Sequence, residues 1–297
     1  MTTLDDKLYL RRGTSPDGPF SLAVTPEQAG WTYSGLKVLT LAPGQSHTWS
    51  TGQDELLVLP LSGSATVSCD GTTFDLRGRR SVFSRVSDFC YAPRDATVTV
   101  ISRSGGTFAI PSARCTRRLE PRYGPAENVP VELRGAGQAS RQVNNFCSPE
   151  AFEADKLIAV EVLTPGGNWS SYPPHKHDET RPGEEAELEE IYYFESEGLA
   201  YQRVYGTPDR PVDVLAEVGT GDVVLIPHGW HGPSIAAPGY HLYYLNVMAG
   251  PEAKRAWRFC DDPAHAWIRG SWDGQAIDPR LPLTSVTEQT EKTDEER

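Results

Sequence analysis

Short apolar runs recur along the whole chain, separated by turns rich in glycine, proline, aspartate and serine. Residues 36–41, 56–61, 65–69, 97–101, 158–163, 223–226 and 242–247 are such runs, dominated by β-branched, aliphatic and aromatic side chains. That composition suits pleated strands, and many short strands at regular spacing predict an all-β protein of barrels or sandwiches. Helix signals are few. Ser148-Pro149-Glu150 predicts one helix start, with a capping serine and a proline in the first turn, and residues 251–257 predict another.

The two halves read as copies of one unit. The second carries Gly167, His175-x-His177, Glu190, Gly221, Pro227 and His231; the first carries Gly44, His47-x-Trp49, Glu55, Gly63, Gly78 and Pro93. On this alignment the extra length of the second copy falls in the acidic loop 178–186, Trp49 replaces His177, and Thr97 replaces His231. The first copy then keeps at most two ligands and is expected to bind no metal, and its half contains a single histidine, His47. The expected domains are residues 1–136, an N-terminal barrel plus linker with a degenerate site, and 137–283, a C-terminal barrel with an intact one. The basic stretch 112–148 reads as the connection. Residues 284–297 hold five acids, two bases and one apolar residue, Val286, and read as a disordered acidic tail.

Composition narrows the function classes. With 27 glycines and 24 prolines, the chain is turn-rich. A net charge of −12 argues against a nucleic-acid partner. No run of 18 apolar residues predicts a membrane span. The first residues lack the apolar core of a signal peptide, and five scattered cysteines read as free thiols, so a cytoplasmic location is expected. The tyrosines and tryptophans could serve an interface between copies, which leaves a homo-oligomer open.

The chemistry concentrates in the second half. His175-x-His177 on a strand places both imidazoles on one face, because the strand period is two. Glu190 opens an alternation in which Glu190, Tyr192 and Phe194 share a face; Glu189 and Glu187 are the alternatives nearby. Pro227-His228-Gly229-Trp230-His231 is a tight turn that presents His231 to a strand. Three imidazoles and one carboxylate can hold a divalent ion and leave positions open for a substrate. Zinc comes first, with manganese, iron, nickel and cobalt served by the same donors.

These residues carry a resemblance. His-x-His with a downstream Glu, followed by Gly-x5-Pro-x-Gly-x-His, resembles the cupin signature. It departs by one residue fewer between that glycine and the last histidine, and by a longer gap before the glutamate. Residues 164–178, 188–193, 201–205 and 238–251 together resemble the 5-deoxy-glucuronate isomerases of bacterial myo-inositol catabolism, most strongly over residues 137–283. The resemblance implies a bicupin fold and a metal held by His175, His177, Glu190 and His231. It also implies a cytosolic aldose–ketose isomerisation yielding 5-dehydro-2-deoxy-gluconate. The ketol-isomerases that act on 5-dehydro-4-deoxy-glucuronate in pectin breakdown share the ligand order. An iron-dependent cupin dioxygenase and a non-catalytic sugar-binding bicupin are the other readings.

An isomerase of this kind needs a group to manage the migrating proton. Tyr192 is the candidate, sharing the presumed inner face with Glu190; a hydride shift would need no base there. A uronate carboxylate calls for a cation, and arginine can contact it with two prongs. Arg203, beside Tyr201 and Tyr205, is the first choice for this small-molecule uronate. Lys176 lies between the histidines but should face away on strand alternation. Arg181 sits in the acidic loop and could close over the substrate.

Overall fold

The computed structural model describes residues 7–287, and they are nearly all β. A nine-stranded sheet holds the first half. The second half is built from two sheets. One runs in the order Tyr9–Leu10, Val223–Ile226, Glu189–Ser196, Leu242–Ala249, Ile158–Thr164, Arg141–Asn144, Val131–Arg134. The other runs Asp213–Glu217, Ala200–Tyr205, Trp230–Ala236, His175–Lys176, Cys260–Asp261. Two strands from before residue 137, Tyr9–Leu10 and Val131–Arg134, thus belong to the sheet of the second half. Among the described residues no helix is long and apolar enough to cross a membrane.

Three buried clusters explain the apolar runs. One fills the first unit, with Leu56, Val58 and Val98. One fills the second, with Tyr192, Phe194 and Val224. The third lies between the units, where Leu57, Leu59 and Tyr91 meet Ile191, Tyr193 and Leu245. Strands such as Glu189–Ser196 are therefore covered on both faces: even positions fill the unit's interior and odd positions fill the junction. This is why they read as continuous apolar runs rather than as alternation.

Carboxylates lock the junction reciprocally. Glu189 accepts the backbone N–H groups of Thr32, Tyr33 and Ser34 at 2.7, 2.7 and 2.8 Å. Glu55 accepts those of Asp155, Lys156 and Leu157 at 2.8, 2.5 and 2.8 Å, plus the Tyr91 hydroxyl at 2.7 Å. A fully buried ion pair adds to this: Arg79 meets Glu161 through two bonds, 3.0 and 2.8 Å.

Strand register corrects the expected repeat alignment. Glu55 lies opposite Ala113, as Glu189 lies opposite Ala249, and both act as junction clamps. The first-half counterpart of Glu190 is therefore Leu56: Leu56 pairs with Ala92, as Glu190 pairs with Ile226. Thr97 pairs with Ser50, as His231 pairs with His175. The counterparts of His175, Glu190 and His231 are Ser50, Leu56 and Thr97, so the first unit retains none of these donors. His47 instead packs against Phe20 and Trp49, with ring centroids at 5.3 and 5.7 Å.

Three further expectations change. Neither residues 148–152 nor 251–257 form a helix. Ser148 O accepts the N–H groups of Ala151 and Phe152 in a turn, and the carbonyls of Pro251 and Glu252 are taken by the Lys156 ammonium at 3.1 and 2.5 Å. Carbonyls occupied by a distant side chain do not favour continuing an intrahelical ladder. Residues 112–148 are not a plain connection, since Arg122–Gly124 pairs in the first unit while Val131–Arg134 and Arg141–Asn144 pair in the second. The expected tail begins docked: Thr284 is buried and bonded to Gln142 at 2.9 and 3.0 Å. Residues 288–297 lie outside the described part.

Replacing Glu55 with alanine would strand three buried N–H groups and a tyrosine hydroxyl. At roughly 1–3 kcal/mol per unsatisfied buried group, Glu55→Ala should destabilise the chain by at least about 3 kcal/mol while leaving its metal content unchanged. Urea unfolding and elemental analysis of the same preparation check both halves of that statement.

Candidate metal centre

His175 and His231 face each other across an antiparallel pair, in direct register. His177 follows His175 by two and returns to the same side. Glu190 comes from the facing sheet, on the interior side of its strand. The turn before His231 depends on Gly229 at φ 87, where a side-chain carbon would sit 2.7 Å from the Tyr205 carbonyl. The three expected histidines come together, and Glu190 lies against two of them. The ligand nitrogens of His175, His177 and His231 lie within 4.8 Å of one another, a group that could hold a metal ion. Glu190 Oε2 is 3.0 Å from His177 Nε2 and 3.1 Å from His231 Nε2. Glu189 turns to the junction and Glu187 is exposed, so Glu190 is the glutamate of the three that lies beside the histidines.

The backbone orients the rings. His175 Nδ1 faces Pro173 O at 3.4 Å, His177 Nδ1 faces Leu188 O at 3.2 Å, and His231 Nδ1 faces Gly229 O at 3.3 Å. A ring nitrogen facing a carbonyl must carry the proton, so each Nε2 is turned inward as the potential donor. His231 Nε2 is buried and makes no hydrogen bond of good geometry among the described residues, although Glu190 Oε2 lies 3.1 Å away. A buried polar atom of that kind calls for an occupant. Three inward imidazole nitrogens and one carboxylate oxygen fit a divalent first-row ion.

Electrostatics tells the same story. Burial alone would depress the His177 pKa, but the Glu190 carboxylate outweighs it and raises the ring above its usual value. Burial would raise Glu190, yet His177 and His231 outweigh that and hold it at about 2. A cation bound here would compete with protons for the same imidazole nitrogens.

His177, His231 and Glu190 are almost fully buried, whereas His175 is partly open. A narrow, partly open cleft reaches His175, lined by Ser171, Tyr192, Tyr244 and Asn246, with Arg141 and Arg269 also in its wall. Tyr192 is therefore placed in the cleft. Its hydroxyl and that of Tyr244 each lie 3.0 Å from Ser171 Oγ, and the two rings stack at 4.9 Å.

The three expected substrate cations lie elsewhere. Arg203 is on the outward side of Ala200–Tyr205, paired with Asp213 and bonded to Val214 O at 3.0 Å. Lys176 points away from the histidines, as strand alternation requires, and is held by Asp178 at 2.6 Å and Glu185 at 2.9 Å. Arg181 pairs with Glu179 and Glu185 in the loop. Each is neutralised by its own acids. Ser171, Tyr244 and Asn246 lay within the recognised motifs without an assigned role, and Arg141 lay in the stretch read as a connection.

Two curled β units in tandem, one of them gathering imidazoles at its centre, define a bicupin. The oxalate decarboxylase of Lactobacillus farciminis shares the fold, with a TM-score of 0.61 at 13% identity, over 86% of this chain and 88% of that one. An IolB-like protein from Salmonella typhimurium LT2 superposes with a TM-score of 0.82 at 36% identity, over 88% of this chain and 98% of that one. The chain belongs to the KduI/IolB family, whose model matches residues 8–268. The 5-deoxy-glucuronate isomerase of Geobacillus kaustophilus HTA426 is 43% identical over 253 residues, 84% of this chain and 90% of that protein. That of Bacillus subtilis 168 is 40% identical over 250 residues, 82% and 91%. The family expected from the motifs is the family found.

Removing one imidazole should empty the site. His177→Ala, dialysed against metal-free buffer, should retain less than about a tenth of the metal held by the unaltered chain. Because imidazole ligands must be unprotonated, metal and protons compete for the site, so affinity should fall as pH is lowered and binding at acid pH should release protons. Calorimetry in buffers of different ionisation enthalpy reads this out.

Proposed function

We propose that this chain is a metal-dependent aldose–ketose isomerase converting 5-deoxy-glucuronate to 5-dehydro-2-deoxy-gluconate in myo-inositol catabolism. The observation that carries the reading is the coincidence of two facts. The chain is 43% identical over 84% of its length to a protein named for that activity, and its three clustered histidines reach a cleft through His175.

The reaction moves one hydrogen from the hydroxyl-bearing carbon to the neighbouring aldehyde carbon, while the hydroxyl proton passes to the aldehyde oxygen. His175, His177, Glu190 and His231 would hold the ion, with zinc our first assignment. Such an ion would act as a Lewis acid, polarising the carbonyl and the adjacent hydroxyl. His177, His231 and Glu190 form the closed side of the site, and His175 borders the open one, so a sugar would approach past His175.

Tyr192 is suited to giving rather than taking a proton. Burial, reinforced by Glu190, raises its phenol well above the usual tyrosine range. It therefore stays protonated at neutral pH and can donate to a developing negative charge on oxygen. Ser171 fixes its direction. Among the described residues that wall the cleft, we assign no group the role of carbon base, which is compatible with a hydride shift.

The test is elemental analysis coupled to isomerisation, followed by proton NMR on both deoxy-uronates named above. The expected result is about one divalent ion per chain, turnover of 5-deoxy-glucuronate, loss of turnover on chelation and recovery with added zinc. Turnover that survives complete metal removal would contradict the reading. So would oxygen consumption in place of isomerisation.

A further inference from the structure

One cation in the cleft has no acid of its own. Arg141 is only 7% exposed. Its Nη1 donates to the carbonyls of Ala139 at 3.0 Å and Tyr172 at 3.4 Å. Among the described residues, Nε and Nη2 have no hydrogen-bond partner, and no carboxylate lies within ion-pair distance. A buried charge is costly unless it is paired. Burial here pulls the guanidinium down to about 10.

Its neighbours set the contrast. Arg134 lies directly opposite Arg141 in strand register, yet both of its acid contacts are satisfied by Glu132, at 2.6 and 2.9 Å. Arg269 is held by both oxygens of Asp261. Arg141 alone of these three offers a free two-pronged edge. It lines the same cleft as His175. That cleft also contains Asn246, whose Oδ1 is buried with no hydrogen-bond partner among the described residues.

We infer that Arg141 is the carboxylate subsite. It takes the acid end of the sugar through Nε and Nη2, Asn246 Oδ1 accepts a sugar hydroxyl, and the carbonyl end lies at His175. The inference rests on the proposed uronate substrate and adds the residue that selects an acid sugar over a neutral one. A neutral sugar would leave the Arg141 charge buried and unpaired, and this asymmetry rejects it.

The experiment measures binding separately from turnover. The probe is the acid formed by reducing the substrate's aldehyde to an alcohol. Its neutral counterpart carries an alcohol in place of the carboxylate. Both are titrated into metal-loaded protein by calorimetry. The acid should bind the unaltered chain roughly 10- to 100-fold more tightly than the neutral compound. Arg141→Gln should erase most of that preference without changing metal content, and Arg141→Lys should restore part of it. Arg141→Gln keeping the full preference, or the preference being lost in Arg269→Gln instead, would overturn the assignment. Absence of uronate turnover in the unaltered enzyme would count against the proposed function alone, because the binding comparison still decides the subsite. If neither Arg141 variant folds, a crystal structure of the unaltered chain with the reduced acid decides. A carboxylate on Arg141 supports the inference, and a carboxylate elsewhere ends it.

Discussion

Three imidazoles are held with their Nδ1 atoms against backbone carbonyls and their Nε2 atoms against one another, around a single carboxylate. The rest of the second unit serves this constraint. The arrangement brings three imidazoles and a carboxylate together inside an apolar barrel. The strand pairing that sets His175 opposite His231, and the turn that delivers His231, are rigid backbone features. The site is thus pre-organised by main chain rather than by neighbouring side chains.

The first unit has the barrel without the donors. Ser50, Leu56 and Thr97 occupy the register positions of His175, Glu190 and His231, and Leu56 joins an apolar interior. What the two units still share is the junction. Glu55 and Glu189, one from each, reach across and cap three successive backbone N–H groups of the other. The strand Glu189–Ser196 unites the two duties: Glu189 clamps the junction, and Glu190, one residue on, faces the site.

Much of this was legible in the sequence. His-x-His, the apolar strand bearing Glu190, and the proline–glycine turn before His231 carry local geometry, so their convergence followed from strand period and turn chemistry. Other features depend on what arrives from far along the chain. Glu55 and Glu190 look equivalent by spacing, and only strand register separates clamp from ligand. Arg203 looked free because its partner Asp213 lies on the next strand, in a pairing that spacing does not announce. Arg141 sat in an aperiodic stretch, and its significance is the absence of an acid beside it, which no local pattern records. The helix expected at Pro251 failed for a similar reason, since Lys156 takes carbonyls from that segment.

The central claim is that His175, His177, Glu190 and His231 share one divalent ion and leave part of its surface toward the cleft. Anomalous diffraction from crystals of the zinc-loaded protein, collected on both sides of the zinc absorption edge, tests this most directly. The account predicts one strong peak bounded by those four side chains, with non-protein density completing the coordination on the cleft side. A peak at another location, or a peak fully enclosed by protein donors with no open side, would contradict it.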